Sequence, residues 1–229
     1  MGIDESSEKS KYEEKFYAYR IYKIYNKSPL KSYDIKELSD FILPPKEIYE
    51  RKITIKQYID EKINQKVKLK IFSLSTRKAI EVEIIVNKNE NKDEIFECLV
   101  NYENINTAHF KLLHIMEIKK GSFSHENLLL TENLDYLIGI RTLNDGIFYS
   151  INNDAFTELI ACFINILNQN KGKECEFYIF NSKRGAKLIT TKIPNNNNFS
   201  LGCDVAYGKA HEFPIKAQER DDELQILKE

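Results

Sequence analysis

Ser200-Leu201-Gly202-Cys203-Asp204-Val205-Ala206-Tyr207-Gly208 closes a pattern that this chain runs through twice. Its earlier counterpart is Phe96-Glu97-Cys98-Leu99-Val100-Asn101-Tyr102, with Cys98 against Cys203, Val100 against Val205 and Tyr102 against Tyr207. A second pair of stretches matches in the same order: Val67-Lys68-Leu69-Lys70-Ile71-Phe72-Ser73 reads against Cys175-Glu176-Phe177-Tyr178-Ile179-Phe180-Asn181. The spacing between matched positions drifts from about 94 to about 108 residues, which loop insertions explain because loop length costs little free energy. Two tandem copies of one small β-rich unit follow from this self-similarity. The boundary between them is expected near Asn104 to Ala108.

Within the first copy, β-propensity predicts an opening strand from Phe16 to Tyr25, broken at Ser28-Pro29. A short amphipathic stretch from Lys31 to Leu38 leads into a buried strand, Asp40-Phe41-Ile42-Leu43, stopped by Pro44-Pro45. Apolar residues at 3–4 spacing (Ile55, Tyr58, Ile59, Ile63) predict a helix over Thr54 to Ile63. Alternating residues predict a hairpin from Val67–Ser73 and Lys78–Val86, and Ile95 to Tyr102 reads as one last strand. The second copy repeats this order. Its strand is Phe110–Ile118, followed by Asp135-Tyr136-Leu137-Ile138, a helix over Ala155–Leu167, a hairpin of Glu176–Phe180 and Lys187–Ile193, and a closing stretch Ser200–Gly208. Each copy thus has five or six strands and one or two helices. A sheet edge beside the helix would leave a groove able to accept an extended peptide by strand addition.

Lys and Arg total 34 against 35 Asp and Glu, a formal net charge of −1, and the two signs alternate along most of the chain. That balance gives none of the basic stripe that nucleic-acid binding needs, so no nucleic-acid partner is expected. No apolar run approaches the roughly 18 residues of a spanning helix, and the polar, acidic N-terminus is not the pattern of a secretory signal. The four cysteines (Cys98, Cys162, Cys175, Cys203) are scattered without paired spacing and read as reduced, largely buried thiols. Met1-Gly2-Ile3-Asp4-Glu5-Ser6 fits the M-G-x-x-x-[ST] signal for N-myristoylation at Gly2.

Asp135-Tyr136-Leu137-Ile138-Gly139, then Phe177-Tyr178-Ile179-Phe180-Asn181, then Ser200 to Gly208 resemble the second PDZ-like domain of the Golgi reassembly stacking proteins. The first copy resembles the preceding domain more weakly, through Tyr19, the Lys27-Ser28-Pro29 turn and the closing strand. The resemblance covers about residues 16 to 215. It implies an α+β, mainly β fold: two tandem PDZ-like domains, each a small, partly open β-barrel or sandwich with one or two helices. The expected organisation is a lipidated segment over 1–15, domains over 16–105 and 108–215, and a charged tail over 216–229.

The implied function is a Golgi membrane-tethering and stacking scaffold on the cytosolic face, anchored peripherally by myristate. Its implied partners are itself, as a homodimer or oligomer, and golgin-type coiled-coil proteins or cargo through C-terminal or internal peptides. One myristoyl chain binds membranes only marginally, and Asp4 and Glu5 beside it repel anionic lipid, so protein contacts must supply a second anchor. Peptide-binding residues are expected at Leu201, Gly202, Cys203, Val205, Phe156 and Ile160 in the second groove. The first groove would use Phe96, Glu97, Cys98, Val100 and Tyr58, but Glu97 stands where the family uses a glycine whose loop faces a peptide carboxylate. Family members also hold zinc with a partner through a His and a Cys; Arg20 and Glu103 stand at the aligned positions, so no metal and no cofactor are expected.

No GxSxG elbow, phosphate loop or HExxH is present in the sequence, and no catalytic residue is assigned. His114 lies in an apolar strand and reads as a packed histidine. Cys203 and His211 could meet as a thiol–imidazole pair, the basis of a Cys-dependent enzyme alternative, but no third orienting group can be named and a structural cysteine is expected. The remaining alternative is a soluble tandem-PDZ adaptor without membrane tethering.

Overall fold

The computed structural model describes residues 16–87, 94–153, 158–197 and 199–214. Gly2 and Phe156 therefore lie outside the described residues. The chain is mainly β and forms two open antiparallel sheets, neither of which closes into a barrel.

The first sheet has the order β4-β3-β2-β1-β6-β5. Its strands are β1 (Tyr17–Ile24), β2 (Asp40–Leu43), β3 (Lys66–Ser73), β4 (Lys78–Ile85), β5 (Glu94–Ile95) and β6 (Cys98–Asn104). Between β2 and β3 lie helices α1 (Lys46–Arg51) and α2 (Ile55–Glu61). After the short helix α3 (Ile105–Ala108) comes β7 (Leu113–Ile118), then α4 (Phe123–Glu126), β8 (Asp135–Thr142) and β9 (Phe148–Ser150). Helix α5 (Leu159–Gln169), β10 (Glu174–Asn181), β11 (Gly185–Lys192) and β12 (Cys203–Ala206) complete the second sheet, ordered β11-β10-β8-β7-β12 with β9 on β8.

The predicted hairpins and helices fall where periodicity places them. Thr54 caps α2 in a reciprocal box with Gln57, each satisfying an otherwise orphaned backbone donor. Three departures have local causes. Helix α1 follows directly on Pro44-Pro45, because proline stops a strand yet is well tolerated at the entrance to a helix. Residues 95–102 form two strands instead of one, because Phe96 and Glu97 take left-handed φ of 52° and 56° and turn the chain back on itself. The opening strand of the second half begins at Leu113 because α3 and a turn at Phe110 occupy the preceding residues.

Hydrogen bonds repeat between the halves as the residues do. Asp40 accepts from the Lys36 N–H and Asp135 from the Thr131 N–H, at 2.8 and 2.9 Å. Leu38 N donates to Ile21 O, and Asn133 N to Ile115 O. Tyr25 N donates to Glu97 O, and Lys119 N to Gly202 O. Two apolar clusters sit within the halves, one under α2 and the other under α5. A third lies between the sheets and draws on both: Ala18, Tyr22, Phe41 and Leu99 from the first, Tyr136, Tyr178 and Phe180 from the second, with Phe213 arriving from the C-terminal side. Strand alternation explains the division. On β1, Tyr19 and Ile21 face the first cluster, while Ala18 and Tyr22 face the seam.

Candidate peptide-binding grooves

The second half holds an open trough between α5 and β12. Helix α5 is amphipathic: Leu159, Phe163, Ile166 and Leu167 point into the core, and Ile160 and Ile164 turn outward onto the trough. Facing them across it are Leu201, Cys203 and Val205 from the closing stretch, with Phe199 at one end. The trough encloses about 180 Å³, and Asn168 and Ser200 are the polar residues on its wall. Ile164 is 49% exposed and, with Ile160, continues the apolar wall of the trough outward. Strand β12 pairs with β7 through Cys203–Ile118, Asp204–Glu117, Val205–Ile115 and Ala206–His114, and ends the sheet among the described residues. Its other edge borders the trough and can accept an added strand.

Glycine at 202 is required twice over. Its φ is +69°, and a Cβ there would run into the Ser122 side chain. The loop is pinned by Ser124 N donating to Leu201 O (3.0 Å) and Lys119 N donating to Gly202 O (2.9 Å), while the Gly202 N–H is taken by Ser200 Oγ (3.1 Å). Of the residues expected in this groove, Leu201, Cys203, Val205 and Ile160 line the trough, while Gly202 shapes the loop behind it and does not itself line the wall. The structure adds Phe163, Ile164, Leu167 and Phe199. Ile164 was legible as the residue one turn on from Ile160.

The first-groove residues are placed differently. Tyr58, Phe96 and Cys98 are 5%, 2% and 0% exposed and belong to the core under α2, with Val100 half-buried against it. Burial pushes the Cys98 thiol up to about 12. Glu97 sits at the turn between β5 and β6, and its carbonyl accepts from Tyr25 N.

Arg20 and Glu103 do not form a metal site. Both are buried in the seam, with Arg20 Nε 3.5 Å from Glu103 Oε2. A guanidinium has no lone pair for a metal. The carboxylate is already engaged: Tyr22 Oη (2.5 Å), Ser150 Oγ (2.6 Å) and Asn101 Nδ2 (3.0 Å) donate to Oε1, and Asn152 Nδ2 (3.1 Å) to Oε2. Arg20 Nη2 donates to Ala108 O at 2.9 Å, and the guanidinium lies over the Phe41 ring. The ion pair thus ties β1 and β6 to Ser150 and Asn152 of the other half. Sequence reading saw both residues but not this network, whose partners are far apart along the chain.

Cys203 and His211 do not meet as partners. Cys203 lies by Ser124, and its thiol is held above the usual value, mainly by burial. His211 instead contacts His114, Nδ1 to Nδ1 at 3.2 Å, and His114 stacks on Tyr136. Among the described residues no cluster of three or more His, Cys, Asp or Glu could hold a metal, and no helix is long and apolar enough to cross a membrane.

A family model described as the GRASP55/65 PDZ-like domain matches residues 69–216. This chain belongs to that family. Golgi reassembly-stacking protein 1 of Homo sapiens is 21% identical over 203 residues, covering 86% of this chain and 43% of the relative. The Mus musculus protein of the same name is 22% identical over 221 residues, covering 94% and 46%. The chain therefore spans somewhat under half the length of the curated relatives it matches. The match runs from within β3 to beyond β12 and so includes the whole of the trough and its glycine loop.

Proposed function

We propose that this GRASP-family chain is a Golgi membrane-tethering and stacking scaffold. It is built as two PDZ-like units over residues 16–105 and 108–215, self-associates, and captures extended peptide segments of golgin-type partners while anchored through myristate on Gly2. The observation that carries this reading is the apolar trough between α5 and β12, bordered by a strand edge, in a chain of this family. A strand-adding peptide would take its affinity from main-chain hydrogen bonds to Cys203–Ala206. Its selectivity would come from alternate side chains set against Ile160, Ile164, Leu167 and Leu201. Apolar residues at every second position of the peptide suit such a wall.

Membrane attachment by a single acyl chain is reversible, so tethering requires protein contacts acting together with lipid. Clustering of Golgi-composition liposomes by enzymatically myristoylated protein tests this directly. The wild type clusters them, Gly2→Ala fails to bind them, and Ile164→Glu binds without clustering. Clustering that is indifferent to both substitutions would overturn the proposal.

A further inference from the structure

The two halves anchor their closing loops alike and then diverge. Glu97 O accepts from Tyr25 N in the first half, and Gly202 O from Lys119 N in the second. In the second half none of the described residues leading into β12 pairs with it, and Leu201 and Cys203 stay partly exposed on the trough wall. In the first half the chain comes in as β5, with Glu94 opposite Leu99 and Ile95 opposite Cys98. The strand packs against α2, so it lies between the helix and β6, where an added peptide strand would have to enter. Two left-handed residues make this fold-back possible, Phe96 at φ 52° and Glu97 at φ 56°. The turn is held by Ser28 Oγ donating to Phe96 O (2.7 Å), while the Phe96 ring is buried in the core. Helix α2 also has 7 residues against the 11 of α5, which shortens the wall available to a ligand.

We infer that the chain's own segment Glu94–Ile95 closes the loop end of the first groove, and that peptide recognition falls to the second groove. The inference rests on the reading above that this chain binds extended peptides, and adds which half does so. The hairpin takes the β6 edge at its first two residues, so a terminal carboxylate cannot approach the turn there. A binder with one working groove per chain links two membranes when that groove takes a segment of a second chain or a multivalent partner, whereas two working grooves could bridge two ligands directly.

The test begins by selecting phage-displayed random decapeptides, presented internally and with free C-termini, on the complete chain. The strongest binder is then titrated into 15N-labelled protein. The expected result is chemical-shift change at Ile164, Leu201, Cys203 and Val205, with Leu99 and Val100 unmoved. Ile164→Glu weakens that peptide at least tenfold, and Val100→Glu changes it by less than threefold. Shifts centred on Tyr58, Cys98 and Val100, with loss of binding in Val100→Glu and not in Ile164→Glu, would overturn the inference while leaving a peptide binder. Failure to enrich any peptide would instead overturn the proposed function. Should Val100→Glu fail to fold, the shift map on the wild type decides alone.

Discussion

Replacing Glu103 by Ala should be among the most damaging single changes in this protein. Glu103 is 1% exposed and receives four hydrogen bonds, from Tyr22, Asn101, Ser150 and Asn152, two of these partners lying in the other half of the chain. Its removal leaves the Arg20 charge buried at 0% exposure without its counter-ion, with Nη2 still donating to the Ala108 carbonyl. Breaking a buried pair by deleting one partner costs about 3–5 kcal/mol, because the other charge stays desolvated. Against a total of roughly 5–15 kcal/mol for a folded domain, that loss is large enough to read in any equilibrium assay. Urea unfolding followed by far-UV circular dichroism would show it. With an m-value of about 2 kcal/mol/M, the midpoint falls by about 1.5–2.5 M. The double variant Arg20→Met, Glu103→Leu should recover most of the loss, since apolar side chains of similar volume replace buried ion pairs at little cost. A loss below about 1 kcal/mol in Glu103→Ala, or a double variant no better than the single one, would refute the view that this pair holds the seam.

Other consequences can be checked on the same material. Gly202→Ala places a Cβ against Ser122 at a left-handed φ and should destabilise by more than about 1 kcal/mol in thermal melts. Lys52 is an exposed, left-handed residue closing α1 at φ 54°, so Lys52→Gly should stabilise by about 1 kcal/mol. Cys98, raised to about 12, and Cys175, raised to about 11, should react with iodoacetamide at pH 8 only on unfolding, as mass spectrometry of the labelled chain would show. Burial holds His109 and His114 below the usual imidazole value, with Glu212 pulling His109 the other way. The native state resists their protonation, so their contribution to stability is complete above about pH 6.5 and is lost as pH falls through the lowered values. Urea midpoints measured from pH 7.5 to 5 should decline accordingly, and less so in His114→Gln.

Much of the fold was legible because its signals are local. Alternation in Val67–Ser73 and Lys78–Val86 fixes a hairpin, and the 3–4 spacing on α5 fixes a buried helix face. Ser200 to Gly208 marked the groove through its match to Phe96–Tyr102 and its resemblance to the closing strand of the family. What escaped the sequence depends on conformation or on distant pairing. Ile95 to Tyr102 has strand-forming residues throughout, and nothing in Phe96 or Glu97 announces a left-handed turn, since neither residue favours one. Helix α1 was hidden by a proline pair that ends one element and starts the next. The Arg20–Glu103 network joins residues whose proximity follows only from how two sheets pack.

The central claim is that the α5/β12 trough is where this chain takes a peptide. Hydrogen exchange of the β12 amides Cys203 to Ala206, with and without a selected peptide, addresses it most directly. The account predicts slowing of tenfold or more at alternate β12 amides on peptide addition, and no slowing in Ile164→Glu. Unchanged exchange at β12 while the peptide is demonstrably bound would contradict it.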